Sequence, residues 1–491
     1  MLWTIYGYYF IFNITLFIVV LFLLRKLFLN SLVSNIFYSY VNQFFLLISL
    51  FIFFFIFSLL NYSMDIYQSF LMINLHDTEI GVTYIVDKLY HSNSSIYNLT
   101  KVYYYPFIYV FVLITFLSII FCLTYNQDEL SSFMFYVMLI LIAGYTMFFT
   151  NSAILFFFSY EMLLLPSFFI LYKFAKTRRC VEAAYLMFFW TQFGAIFLIF
   201  GLLYLFLITN SSLFSVITTH YYSPYEVNFI FICLILGFGV KLPIWPFYGW
   251  LPKAHVEAST NFSIFLSGVL VKFAFFGLFK LLVVMQLEPT FIAVIPFLVI
   301  GISDSVFKLF YQIDLKKLVA YSTVVEMHWL TICVISGQSN LMLSSFCMLI
   351  SHALISTNSF LLVDAVARRF KTRLITEISG INFICPKLFL MTLINILIFL
   401  GFPGSLFFVS EVLFFSFLFD MFPVLTFLLL ILLYLLAPTF FFRSWMNIMF
   451  GFSNIFLRKA PTDLSTRELL IFSSMSILMY WLGLIWQSFV L

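Results

Sequence analysis

Five side chains able to take up or release a proton stand in stretches that are otherwise apolar. They are Glu161 in FFFSYEMLLLPSFFIL, Lys241 in ILGFGVK, Lys272 in FLSGVLVKFAFFGLFKLL, His352 in MLISHALIST and Glu411 in GFPGSLFFVSEVLFF. Glu326 and His328, in STVVEMHWL, add two more. A charge at the centre of a bilayer costs about 2.5–3.5 kcal/mol on insertion scales, so such groups face a bundle interior or a hydrated cavity. No nucleophile–base arrangement accompanies them. A series of acid, lysine, lysine, histidine and acid fits proton translocation, each group passing a proton on through water.

Each residue also has a plainer reading. Glu161 lies five residues before Pro166, so it either meets a cation, for which Lys241 is the natural partner, or stays neutral against backbone freed by the proline. Lys272 has no acid within a helical turn and lies about ten residues from either end of its span, beyond the reach of a snorkelling stem. An amine held away from water exchanges its proton readily, which makes Lys272 the central candidate. Lys280, near the span end, reads as a snorkelling anchor. His352 suits a relay and equally a hydrogen-bonded structural histidine. Asp304 and Lys308, four apart, read as a self-neutralising pair.

The elements that must position these groups are membrane helices. The chain is 64% hydrophobic and 9% charged, with mean hydropathy +1.11. Apolar stretches of about 20 residues recur along its length, and strand-like alternation is missing, which points to an all-α polytopic membrane protein with about fourteen spans. These fall near 5–24, 42–60, 104–125, 131–150, 152–172, 183–208, 227–245, 262–285, 290–310, 318–336, 341–365, 387–415, 421–442 and 468–489. Eighteen lysines and arginines lie in loops after odd-numbered spans and two after even-numbered ones. That asymmetry follows the positive-inside rule and puts both termini on the opposite side. The first run, Ile5 to Leu24, is followed by Arg25-Lys26 and reads as a retained helix rather than a cleaved signal.

The six cysteines are isolated from one another, and no CxxC, GxGxxG or Walker pattern occurs, so no metal or nucleotide site is expected. The basic residues are spread over short loops, which gives no nucleic-acid signature. Phenylalanine makes up 72 of 491 residues, the bias an AT-rich genome would force on an apolar protein, and this hints at organelle coding. The polar segment 61–103 carries three short sequons, a pattern that also occurs by chance.

Two spans are broken. Span 7 ends at Lys241-Leu242-Pro243 with Pro246 close behind, and span 12 carries Gly401-Phe402-Pro403-Gly404 before resuming toward Glu411. Their five-helix spacing predicts two inverted five-helix repeats, and paired broken helices point to an ion pathway. The domains expected are 1–130 with spans 1–3, 131–286 as the first repeat, 287–442 as the second, and 443–491 as a loop and last helix. The charges Lys253, His255 and Glu257 are expected to shape the loop joining spans 7 and 8.

Several of these stretches can be matched together. KLPIWPFYGWLPKAHVEAST with SGVLVKFAFFGLFKL, QIDLKKLVAYST, GFPGSLFFVSEVL and DLSTRELLIF resemble the chain 4 family of NADH:ubiquinone oxidoreductase, respiratory complex I. The resemblance runs from about Glu161 to the C-terminus. It implies an antiporter-like subunit of a proton-translocating enzyme in the mitochondrial inner membrane. Such a subunit binds no cofactor of its own; flavin, iron–sulfur clusters and ubiquinone lie on other subunits. Its partners would be other membrane-arm subunits, including the related chains 2 and 5, and lipids. Carried over by motif, Glu161 and Lys241 would form the first pair, Lys272 the central carrier, His352 part of the axis and Glu411 the terminal acid.

Three positions depart from the family pattern. Tyr248 stands where a histidine is usual, and a phenol hardly carries a proton at neutral pH. Glu326 replaces another histidine, with His328 two residues on, so span 10 still offers an ionisable group. Ser259 stands where a proline is usual. Two other classes remain open at this level. A subunit of a multi-subunit cation/proton antiporter would share the same helical ancestry. A purely structural scaffold would tolerate neutralisation of Glu161, Lys241, Lys272 and Glu411.

Overall fold

Helices account for nearly everything seen between residue 127 and residue 490. The computed structural model describes residues 127–175, 177–285, 293–336, 339–450 and 462–490. Spans 1 to 3 and segment 61–103 lie outside the described residues. Span 4 is α1 (Gln127–Phe149), and span 5 is α2 (Ala153–Met162) continued by α3 (Leu164–Lys173). Span 6 is α4 (Arg178–Thr209), followed by the short α5 (Phe214–Ile217) and by α6 (Pro224–Lys241) as span 7. After the break comes α7 (Trp250–Glu257). Span 8 is α8 (Thr260–Phe265), a π-helical turn Leu266–Leu270, and α9 (Val271–Met285). Spans 9 to 11 are α10 (Ile295–Phe310), α11 (Leu315–Ile335) and α12 (Ser339–Phe370).

The short α13 (Ile381–Ile384) precedes span 12, which is α14 (Pro386–Phe399) and α15 (Leu406–Met421). Span 13 is α16 (Pro423–Leu429), a second π-helical segment Leu430–Leu436, and α17 (Ala437–Phe450). Span 14 is α18 (Thr466–Val490). Among the described residues seven helical stretches are long and apolar enough to cross a membrane. Span 12 misses that length because Gly401–Gly404 cuts it, not because it is polar.

The polar candidates sit on the most enclosed helices. The apolar windows of α8–α9, α11 and α12 are buried almost throughout, whereas α4 and α16–α17 keep outward faces. A helix apolar all round belongs in the centre of a bundle, and these three form it. Close approach of α4 and α6 depends on glycine. A Cβ on Gly194 would stand 2.8 Å from the Gly237 carbonyl oxygen, and one on Gly201 would stand 2.9 Å from Cys233 Cβ. In a membrane, where the lipid is as apolar as the side chains, such small-residue contacts do much of the packing.

The same order of local features occurs twice. A backbone bridge pairs Ser152 with Leu213, around a segment holding Glu161, and another pairs Asp314 with Leu374, around a segment holding Glu326. A broken helix follows each: α6/α7 after the first, α14/α15 after the second. A helix with a π-helical stretch follows each break in turn.

Both breaks have local causes. Pro243 and Pro246 offer no N–H, so α6 stops at Lys241, and Trp250 donates its indole N–H back to the Val240 carbonyl at 2.9 Å. At the second break Gly401 has φ +67° and Gly404 φ +90°, left-handed values that only glycine adopts cheaply. The expectation that Lys253, His255 and Glu257 form a loop is corrected: they lie in α7, and Ser259 caps α8 by accepting from the Phe262 N–H. Lys316, counted as a loop residue, is in the first turn of α11 and buried.

Replacing Gly194 by Val should force α4 off α6 at an overpacking cost of about 1–3 kcal/mol. The amount of chain recovered in its solubilised assembly should fall; unchanged recovery would show that the two helices do not meet there.

Candidate functional site

The proline-broken end of α6 aims Lys241 at α2. Its Nζ lies 3.1 Å from Glu161 Oε1, 3.5 Å above the Tyr160 ring and 3.4 Å from the Tyr160 carbonyl oxygen. Gln192 of α4 donates to the other Glu161 oxygen at 3.2 Å. Glu161 therefore meets a cation and an amide, and the reading of a neutral acid bonded to freed backbone falls away. Gln192 was not singled out from sequence, although an amide inside an apolar span was the available signal.

The second group is deeper. Lys272 is 0% exposed. Its ammonium donates to the Ser267 carbonyl in the π-helical turn and meets His352 Nδ1 of α12 within hydrogen-bonding distance. A π turn frees backbone carbonyls from the i→i−4 ladder and is frequent at functional sites. The other ring nitrogen, His352 Nε2, lies 3.1 Å from Glu326 Oε2 on α11, though off the hydrogen-bond direction. Lysine, histidine and carboxylate from three helices thus form one string, and snorkelling of Lys272 is excluded.

Glu411 stands apart from that string. It is buried on α15, and its Oε2 finds no hydrogen-bond partner among the described residues. It packs into the space that Gly401 leaves, where a Cβ would come within 2.1 Å of that oxygen. The second break thus places a second enclosed acid in the half of the chain that holds Glu326 and His352. Lys241 and Lys272 are not in contact. A cavity lined by Tyr160, Thr191, Lys241, Trp250, Leu266 and Leu270 lies between the first pair and the π turn.

Four other polar residues are structural. His328 donates from Nδ1 to the Val324 carbonyl at 2.7 Å and accepts the Trp245 N–H at Nε2, 2.8 Å away. Both nitrogens are engaged, so His328 pins the broken segment to α11 and is not free to relay. Tyr248 donates to Asp304 Oδ2 and accepts from Lys308, whose ammonium is 2.8 Å from the same carboxylate. Asp304 and Lys308 are thus a pair, as expected, with the phenol built in.

Lys280 corrects its sequence reading. It does not snorkel: at 5% exposure it donates to the carbonyls of Met147, Phe148 and Thr150 at 3.3, 3.2 and 2.8 Å. It satisfies the open C-terminal end of α1, which apolar surroundings would otherwise leave unpaired. No group of three or more His, Cys, Asp or Glu able to hold a metal occurs among the described residues.

Residues 150–437 match the family model described as NADH:quinone oxidoreductase/Mrp antiporter, transmembrane. The chain belongs to that family. NADH-ubiquinone oxidoreductase chain 4 of Paramecium tetraurelia is 35% identical over 369 residues, 74% of this chain and 76% of the relative. The chain 4 of Chondrus crispus is 29% identical, covering 77% and 78%. Among solved structures, respiratory complex I from Thermus thermophilus with bound NADH gives a TM-score of 0.68 at 19% identity, covering 80% of this chain and 82% of that one. The Mrp complex from Dietzia gives 0.61 at 21% identity, covering 71% and 39%. Those two likenesses establish the antiporter-like membrane fold. Within it, two of the three departures from the family pattern have a physical account: Tyr248 completes the Asp304–Lys308 pair, and Ser259 caps α8. Glu326 takes the place beside His352.

Glu161 and Lys241 are partly exposed, so removing one partner strands the other at less than the about 3–5 kcal/mol of a fully buried pair. Glu161→Gln and Lys241→Met should each lower the thermal stability of the solubilised assembly, and the double variant should recover part of the loss. A double-mutant coupling indistinguishable from zero would mean that the two groups are not paired.

Proposed function

We propose that this chain is the chain 4-type, proton-translocating membrane subunit of a mitochondrial NADH:ubiquinone oxidoreductase. The observation that carries the reading is the string Lys272–His352–Glu326 at the most enclosed point of the bundle. Glu161 and Lys241 form the switchable first pair, Lys272 is the central carrier, His352 and Glu326 pass the proton on, and Glu411 receives it. Electrons enter elsewhere: flavin, iron–sulfur clusters and ubiquinone belong to other subunits, and this chain contributes no redox site.

The physics is electrostatic. While Lys241 is paired with Glu161, its charge is largely neutralised. When the pair opens, a second positive charge acts on the neighbourhood of Lys272. Unit charges about 10 Å apart at an effective dielectric of about 20 interact by about 1.7 kcal/mol, more than a tenfold change in proton affinity. The proton then moves from the Lys272 ammonium to the His352 ring, while a proton passes from that ring to Glu326 and on to Glu411. Opening and closing the pair is what quinone reduction in neighbouring subunits would drive.

The recurring bridge, acid, broken helix and π segment support the division into repeats 131–286 and 287–442, the second inverted, with 1–130 and 443–491 flanking them. The charge asymmetry supports placing both termini on the intermembrane-space side. The remaining membrane-arm subunits, among them the related chains 2 and 5, would border the chain together with lipid. A cation/proton antiporter subunit shares the fold, but the relatives at 29–35% identity carry the chain 4 name.

Lys272→Ala in the complex reconstituted in vesicles should abolish the protons pumped through this subunit while the complex stays assembled. Full quinone-coupled pumping by the assembled variant would overturn the lysine-carrier mechanism.

A further inference from the structure

Tyr160, the residue before Glu161, is 1% exposed, and its hydroxyl finds no hydrogen-bond partner among the described residues. Buried polar atoms are nearly always paired, so an idle phenol marks a bond made to water or in another state of the molecule. The ring itself is fixed. It stacks on Phe156 of α2, with centroids 6.3 Å apart and planes 9° from parallel, and meets Phe238 of α6 edge-on at 5.2 Å. Gly277 of α9 gives both of those rings their room: a Cβ there would stand 2.5 Å from Phe238 and 3.1 Å from Phe156.

Lys241 already uses that ring. Its Nζ stands 3.5 Å over the ring centroid while it donates to Glu161 Oε1 at 3.1 Å. The negative face of an aromatic ring holds an ammonium without supplying a counter-charge. The hydroxyl sits at the rim of the same ring, so rotation about the last bonds of the lysine stem carries Nζ from the carboxylate to the phenol oxygen. Gln192 remains on the other Glu161 oxygen at 3.2 Å, so the carboxylate keeps a donor when the lysine leaves. Tyr160 and Lys241 also line a cavity of about 40 Å³, with room for water. The finished arrangement exists elsewhere in the protein. Lys308 lies 4.9 Å over the Tyr248 ring and donates both to the Tyr248 hydroxyl and to Asp304. At the first pair the acid and ring contacts are made and the hydroxyl contact is not.

We propose that Tyr160 is the positioning residue of the Glu161–Lys241 switch: its ring steadies the ammonium while the pair is closed, and its hydroxyl receives it when the pair opens. The proposal rests on the switching role given to that pair above. In the open state the phenol oxygen accepts an N–H of Lys241 and turns its own O–H toward the cavity. The lysine keeps its proton throughout. Its positive charge then stands free of a counter-charge, the condition under which it acts on the neighbourhood of Lys272. A phenol suits this role because it solvates the charge without cancelling it.

The test uses the assembled complex in vesicles. Tyr160→Phe keeps the ring and its aromatic neighbours and removes only the hydroxyl. Because that hydroxyl is idle in the closed pair, the variant should assemble and melt like the unmodified complex. Its quinone-coupled NADH oxidation and pumping should nevertheless fall about tenfold or more, the weight of one hydrogen bond to a charged group. Infrared difference spectra during turnover separate this from a structural role: a phenol C–O band that shifts in the unmodified complex should be missing in the variant. Identical spectra would overturn the proposal, and so would native turnover in assembled Tyr160→Phe. Failure to assemble counts against it equally, since the hydroxyl would then be at work in the closed state. If Lys272→Ala pumps fully, the proposed function fails; if Lys272→Ala does not and Tyr160→Phe does, the role of Tyr160 alone fails.

Discussion

A lysine ammonium with no carboxylate in contact among the described residues, enclosed within a helical bundle, is the constraint around which this protein is built. Lys272 is expensive to bury, and its partners are chosen to make it tolerable without making it permanent. A backbone carbonyl released by a π turn and the ring of a histidine stabilise the charge. A fixed carboxylate directly against it would stabilise it more and would hold the proton in place. The carboxylate is instead one residue further on, behind His352.

The rest of the architecture follows from keeping that string dry yet reachable. The helices that carry it are buried on all sides, and the two broken helices lie on either side of it in the chain, with Lys241 at one break and Glu411 packed against the other. Glycine and proline set those breaks. Each break turns a helix end into a polar position inside an apolar medium, which an unbroken helix cannot provide. His328 and Tyr248 then hold the first break in place, as fixed supports beside the groups proposed to exchange protons.

Much of this was legible in the sequence because membrane insertion makes charge informative. Glu161, Lys241, Lys272, His352 and Glu411 stood out since an apolar span has few reasons to carry them, and the pairing of Glu161 with Lys241 followed from complementary charge. What sequence left hidden was direction. Lys280 lies near a span end, as an anchor would, and only packing shows it turned inward to cap α1. His255 follows two prolines and sits among charges, the signature of a loop, yet a short helix tucks it under α12. Whether Glu326 or His328 joins the string could not be read from two residues two apart. They face opposite neighbours, one toward His352 and one toward Trp245.

The central claim is that a proton visits Glu326 on its way from His352 to Glu411. Infrared difference spectra of the complex during turnover, with and without Glu326→Gln, test it most directly. A carboxylic C=O band that appears or shifts during turnover in the native complex and is missing in the variant is the predicted result. Identical difference spectra from the two would contradict the account.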